Sequence, residues 1–246
     1  MSKSIEEPAQ DPRQNGILAA LPKADYERLL PHLEAVSMPL GRTLFESGDH
    51  VKYLYFPTSG IISLIYDLED GSSSEVAIVG NEGMVGISIY MGGESMPSST
   101  EVQCAGIGYR LSRAVMKREF AEGGKLQELS LLYAQALISQ TSQTAVCNAH
   151  HTLDQRLCRW LLMSLDRVPG DRIAITQELI GSLLSVRRES VSESASKLQK
   201  AGLVEYKRGC ITVLERKKVE KQACECYEAV SSEYERLLPA DSKKLA

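Results

Sequence analysis

No run in this chain of 246 residues approaches the roughly 20 apolar residues that a bilayer-spanning helix needs. Its opening, MSKSIEEPAQDPRQNG, lacks the apolar centre of a secretory leader, so a cytoplasmic chain is expected. The six cysteines are scattered, and no CxxC pair is present, which argues against a disulfide framework or an ordinary zinc knuckle. No Gly-rich phosphate loop, HExxH motif or nucleophile–base pairing is found, so an enzyme is not expected. Between Tyr53 and Tyr109 there is no Lys or Arg at all, although Asp67, Glu69, Asp70, Glu75, Glu82, Glu94 and Glu101 fall within that stretch. Any anionic ligand there would lack a cation to meet it.

What is present divides the chain in two. Hydrophobic residues make up 43%, ample for folded cores and for more than one domain at this length. Residues 1–150 carry 11 Lys and Arg against 18 Asp and Glu, whereas residues 156–221 carry 14 against 8. An acidic front and a basic back suggest that one half touches nucleic acid and the other does not. Residues 1–20 read as a disordered tail. From 21 to 123, after a short helical pattern at Asp25–Leu30, short β-rich runs (Tyr53–Phe56, Gly60–Tyr66, Val76–Val79) alternate with glycine turns, which indicates an antiparallel sandwich or barrel.

Residues 124–150 then read as one helix, since Lys125–Ala149 contains neither Gly nor Pro. Leu126, Leu129, Tyr133, Ala136 and Leu137 give it an apolar stripe that is expected to be a homodimer seam. His150-His151 mark a hinge. Cys147, His150, His151 and Cys158 share helical spacing that could hold a metal, but the plain hinge is the preferred reading and no metal is expected. Residues 221–246 are expected to be a helical tail.

The segment 151–220 carries the functional signal. Thr176 is placed to cap a helix burying Leu179, Ile180 and Leu183, and it is counted among the DNA-binding residues. After the turn Ser185-Val186-Arg187, a second helix starts near Arg188 and buries Val191, Ala195 and Leu198. This is a helix-turn-helix. Arg187, Arg188, Glu189, Ser190, Ser192 and Glu193 crowd the amino end of the second helix, the end that enters the major groove in this geometry. Arg pairs with guanine, Glu accepts from cytosine, and Ser190 with free helix amides suits a phosphate. A hairpin follows with Lys207 and Arg208 at its tip, placed for the DNA backbone. Double-stranded DNA is the expected partner; a signalling module whose helix-turn-helix makes only protein contacts is the alternative, and it leaves these cations unexplained.

Arg156–Leu214 resembles the winged-helix end of the cyclic-AMP receptor / fumarate-nitrate regulator family of transcription regulators. The likeness extends over roughly Leu21–Leu214. It implies an α+β fold: an amino-terminal cyclic-nucleotide-binding-like β jelly roll, a long dimerisation helix and a carboxy-terminal winged helix-turn-helix. It also implies RNA polymerase as a partner. By this resemblance Arg188 and Glu189 stand where the family's base-reading Arg-Glu pair stands, while Glu193 replaces a further Arg common in the family. Gly80-Asn81-Glu82-Gly83-Met84-Val85-Gly86 resembles the turn that clasps a cyclic nucleotide, Ser98, Ser99 and Thr100 offer hydroxyls, and Thr141-Ser142 resembles the base-contacting pair. Without a cation nearby, cyclic-nucleotide binding is not expected. The absence of any Cys before Cys104 argues against the family's iron-sulfur branch, and His50 is a lone haem-ligand candidate. Redox sensing by Cys147, Cys158 or Cys224/Cys226, or an unidentified small-molecule effector, stays open.

Overall fold

The computed structural model describes residues 11–239, so the first ten residues of the expected tail and the last seven of the chain lie outside the described residues. Residues 11–20 are not a tail. A 3-10 turn at Pro12–Gln14 leads into α1 (Gly16–Ala19), whose Ile17 and Leu18 are fully buried. Asn15 locks this segment in place. Its Oδ1 accepts from the Ile17 and Leu18 amides (3.1 and 3.3 Å), and its Nδ2 donates to the Pro57 and Gly83 carbonyls (2.9 and 2.8 Å). A polar side chain can be this buried because every group on it is satisfied.

After α2 (Lys23–Leu29) come seven strands: β1 (Glu34–Met38), β2 (Thr43–Phe45), β3 (Tyr53–Pro57), β4 (Ile61–Asp67), β5 (Ser73–Val79), β6 (Ser99–Cys104) and β7 (Gly106–Ser112). They form two antiparallel sheets, ordered β1-β7-β3 and β2-β6-β4-β5. A short α3 (Ser88–Met91) precedes β6 and α4 (Arg113–Ala121) follows β7, capped by Ser112. In β4, Ile61 to Ile65 are all buried. Such a run without alternation means that both faces of the strand are covered. Ile62 and Leu64 join the sandwich core, whereas Ile65 joins the core of the following domain.

The long helix α5 runs Gly124–His150. Its expected seam residues do not face outward: Leu126, Leu129, Tyr133, Ala136 and Leu137 are all buried against the chain's own sandwich. The sandwich alone has apolar surface enough to cover that stripe, so these residues hold the protomer together. A different set is exposed. Leu131 and Ile138 are 53% and 55% exposed, and with Gln135, Ser142, Ala145 and Ala149 they mark positions spaced by alternating fours and threes on the outer face. Val146 lies beside them.

Thr152 starts α6 (Leu153–Leu165) with a reciprocal capping box to Gln155. Next come β8 (Arg172–Ala174), α7 (Gln177–Leu183), α8 (Arg188–Lys200), β9 (Val204–Tyr206) and β10 (Cys210–Val213), the three strands forming a sheet ordered β8-β10-β9. The expected carboxy-terminal helical tail is helical over its described part and packs against the rest of the chain. α9 (Arg216–Gln222) leads to α10 (Cys226–Leu237), which packs along α5 with Val230, Tyr234 and Leu237 buried. Gln140 of α5 bridges it to the sandwich, donating to the Tyr234 hydroxyl (2.7 Å) and to the Ile78 carbonyl while accepting from the Ile78 amide.

The second domain sits on the outer face of β4 and β5. There the Trp160 indole N–H donates to Glu75 (3.0 Å), whose carboxylate also accepts from Ser63. Burial pushes the Glu75 carboxyl up from 4.5 to about 7, against the opposing pull of those hydrogen bonds and of Arg159. The folded chain therefore holds a proton between about pH 4.5 and 7 that the unfolded chain has released. Fewer protons on the unfolded state mean that stability falls as pH rises through this window and levels off above it. Glu75→Gln keeps an acceptor for Trp160 and should flatten that slope, raising stability near pH 8 by roughly 2–3 kcal/mol. Urea unfolding of both proteins across the window checks this; parallel profiles would contradict it.

Candidate nucleic-acid interface

Thr176 caps α7, its Oγ1 accepting from the Leu179 amide at 3.2 Å. The turn to α8 is closed by Val186 N–H donating to the Gly181 carbonyl (2.8 Å), with Ser185 at a φ of 53°. Gly181 is required by close approach. A Cβ there would lie 2.9 Å from the Val186 carbonyl oxygen. On α8, Val191, Ala195 and Leu198 are buried, and Arg188, Glu189, Ser190, Ser192 and Glu193 are exposed, as is Arg187 just before it. The apolar positions thus turn one face to the domain core and leave the amino end to solvent.

The β9–β10 hairpin turns through Lys207-Arg208-Gly209-Cys210, with Arg208 and Gly209 both left-handed (φ of 52° and 72°). Two consecutive positive φ values match the tight hairpin turn whose twist suits its strands. The hairpin is tied to α8 and to the segment that leads into α7. Tyr206 donates its hydroxyl to the Ile175 carbonyl (2.9 Å) and its amide to Gln199 (2.9 Å). Lys207 and Arg208 are exposed at the tip. Lys197 is held by Glu193 (3.1 Å) and Asp154 (3.7 Å), but among the described residues Arg187, Arg188, Lys207 and Arg208 have no carboxylate within ion-pair reach. At the end of α7 and in the turn that follows it, Ser182 and Ser185 hydrogen-bond to Ser73 of β5, so α7 rests on the sandwich while the amino end of α8 stays exposed.

Several of the residues proposed for an effector are engaged within the protein. Ser99 bonds Ile65 and Asp67, Thr100 exchanges hydrogen bonds with the Phe45 backbone, Thr141 bonds the Ile138 carbonyl, and Ser142 is exposed. Ser98 is buried at 1% exposure. The turn Gly80–Gly86 is laced to β3 through paired Tyr55 and Val85 backbone bonds. Tyr133 of α5 lies against Gly83 so closely that a Cβ there would stand 2.3 Å from its ring. Met84 and Val85 are buried. The turn does have a cation, one that the stretch Tyr53–Tyr109 could not reveal. Arg167, just after α6, reaches Glu82 at 2.8 Å in a pair whose side chains are 7% and 10% exposed. Its Nε donates in that pair, and its Nη1 donates to the Met163 carbonyl (2.7 Å). His50 is exposed beside Glu94, and burial pushes the Cys158 thiol up to about 12, which leaves it poorly reactive.

Two known families match the chain in tandem. The cyclic nucleotide-binding domain matches residues 35–122, and the Crp-like helix-turn-helix domain matches residues 155–222. The chain belongs to the Crp/Fnr family of transcription regulators. Solved structures show the same fold. FixK2 from Bradyrhizobium japonicum is 16% identical with a TM-score of 0.68, covering 78% of this chain and 98% of its own. The cyclic-di-GMP-responsive global regulator CLP from Xanthomonas campestris is 20% identical (TM-score 0.61; 78% and 99% covered). A CRP-family transcriptional regulator from Thermus thermophilus is 18% identical (TM-score 0.64; 77% and 96% covered). No curated protein matches the sequence significantly. As in this family, a sensor-type sandwich, a long helix and a helix-turn-helix follow one another. Among the described residues no helix is long and apolar enough to cross a membrane.

The turn geometry makes Gly181 the tightest point of this Crp-like motif. Gly181→Ala should cost about 1–3 kcal/mol, because the Val186 carbonyl must move to admit the methyl group. Chemical unfolding measures it, and a loss below about 0.5 kcal/mol would show that the turn has slack.

Proposed function

We propose that this Crp/Fnr-family chain is a cytoplasmic, non-enzymatic homodimer that binds double-stranded DNA, with the amino end of α8 in the major groove. The observation that carries this reading is the open, uncompensated set Arg187, Arg188, Lys207 and Arg208 on the recognition helix and the hairpin tip. A left-handed Arg208 supports it further: a β-carbon in that conformation costs about 1–2 kcal/mol, where Gly or Asn would fit more easily. Arg188 and Glu189 read bases; Ser190, Ser192, Lys207 and Arg208 hold phosphates; Glu193, tied to Lys197, shapes a preference of its own. RNA polymerase is the partner through which a bound dimer would act on transcription.

The dimer seam in this reading is the exposed stripe of Leu131, Ile138, Ser142, Ala145 and Ala149, since those positions recur as in a two-helix seam. The sensor domain works without a cyclic nucleotide. Arg167 is committed to Glu82 and to the Met163 carbonyl, Tyr133 covers Gly83, and a phosphate buried there would have no free cation.

Selection of bound duplexes from a random pool tests the central reading. A pseudo-palindrome with half-site centres about 34–36 Å apart is expected, and failure to enrich any sequence would overturn it. Arg188→Ala should cost about 1–3 kcal/mol and relax one base pair per half-site, while Lys207→Ala should weaken all sequences alike and reduce the salt slope by about 1. Leu131→Glu combined with Ile138→Glu should sediment as a folded monomer, whereas Tyr133→Ala should instead destabilise the protomer by about 3–5 kcal/mol. Calorimetry with cyclic AMP and cyclic GMP should show no binding; a low-micromolar dissociation constant would remove that part of the proposal.

A further inference from the structure

Two sequence features left unconnected by the DNA-binding reading meet in space. Cys147 lies in the last turn of α5, and His151, four residues on, is the residue that ends the helix, its amide donating to the Cys147 carbonyl. Cys224 and Cys226 flank Glu225 where α9 gives way to α10. Because α10 packs back along α5, the three sulfurs and a ring nitrogen of His151 come together, all within 4.8 Å of one another. The chain direction changes sharply between Ala223, which is extended, and Glu225, which is helical, and this aims both sulfurs of the tight Cys-x-Cys pair to the same side. Cys147, Cys224 and Cys226 are 0%, 5% and 0% exposed. Cys158 and His150, which share the spacing in sequence, stand outside the cluster.

The distances have a chemical meaning. A tetrahedral zinc ion with Zn–S near 2.3 Å and Zn–N near 2.0–2.1 Å sets ligand–ligand edges of about 3.8 Å for two sulfurs and about 3.5 Å for sulfur and nitrogen. Here Cys147 Sγ lies 3.5 Å from Cys224 Sγ, and Cys226 Sγ lies 3.4 Å from His151 Nδ1. The groups around the cluster also suit a metal. His151 turns its other nitrogen, Nε2, toward the Glu225 carboxylate at 3.3 Å, the arrangement that fixes the tautomer of a ligating imidazole. Gln143 donates to Cys226 Sγ at 3.0 Å, an outer contact that orients the sulfur. Arg159, buried and bonded to Thr144 one turn before Cys147, offsets the negative charge left by three thiolates on a divalent cation.

We propose that Cys147, His151, Cys224 and Cys226 form a tetrahedral site for one zinc ion. The ion clamps the end of the long helix to the α9–α10 junction. A disulfide between Cys147 and Cys224 would use two of the four groups and leave Cys226, His151 and the Glu225 contact without a purpose. The clamp stands beside the α5–α6 hinge, so it fixes the base from which the second domain projects. This assignment stands on the cluster alone and holds whether or not the chain binds DNA.

The test is titration of the reduced, chelator-stripped full-length protein with cobalt(II), then with zinc. One equivalent of cobalt per protomer should bind, with a thiolate-to-cobalt charge-transfer band and the intense red-region absorption of a four-coordinate ion. Zinc should displace it, abolish the colour and raise the thermal midpoint. Cys226→Ser and His151→Gln should weaken cobalt by far more than about tenfold, and Glu225→Gln, which alters an exposed residue, by about tenfold. Cys104→Ser should leave binding unchanged. No saturable uptake, a pale six-coordinate spectrum, or a four-coordinate spectrum surviving in both His151→Gln and Cys226→Ser would overturn the site. So would a Cys147–Cys224 disulfide on air exposure in a protein whose reduced form takes up no cobalt. The wild-type titration decides the matter even if a cysteine variant fails to fold.

Discussion

The guanidinium of Arg167 is taken almost wholly out of water to meet Glu82 in the turn of the sensor sandwich. Two charges buried this deeply are tolerated only as a pair, since losing either leaves the other unsolvated at a cost of about 3–5 kcal/mol. The pair joins the turn, the end of α6 and, through the Tyr234 ring about 5.7 Å from Arg167, the carboxy-terminal helix. Around it the remaining polar bridges fall into place: Trp160 to Glu75, and Gln140 to both Tyr234 and Ile78. The second domain is thereby seated on β4 and β5, and the turn at Gly80–Gly86 meets a protein cation.

The long helix divides its labour by face. Its inner stripe, with Tyr133 fully buried, closes the sandwich and covers Gly83; its outer stripe keeps Leu131 and Ile138 in solvent within one chain. Buried Gln140, on the same helix, makes three hydrogen bonds that bind α5 to β5 and α10. A helix this committed to its own protomer has only its opposite side left for a second copy. Its last turn carries Cys147, and the residue that ends it is His151, so the same rigid element also delivers half of the proposed metal clamp.

Readout of DNA and the fold that supports it separate cleanly. Thr176, Gly181, Tyr206 and Gln199 set the positions of the two helices and the hairpin, and none of them need touch a base. Arg187, Arg188, Lys207 and Arg208 do little for stability, because they lie exposed without partners among the described residues. Side chains that the fold does not require are the ones free to be chosen for a partner.

The sequence determined what depends on local order. Glycine turns between apolar runs specified the strands, the absence of Gly and Pro specified the long helix, and the period of Val191, Ala195 and Leu198 specified the inward face of α8. Exposure of Arg188 and its neighbours followed from that same period. Tertiary structure decided whatever required two distant segments to meet. The stripe Leu126–Leu137 has a helical period whether it faces a partner or its own sandwich, and only packing chose the sandwich. Arg167 is invisible as the cation of the turn at Gly80–Gly86 because 85 residues separate it from Glu82. The four ligating groups at Cys147, His151, Cys224 and Cys226 span a gap of more than 70 residues. Period and composition report on neighbours along the chain, while ion pairs, packing partners and shared ligands are set by proximity in space, which exists only once α10 has folded back on α5 and the second domain has docked on β5.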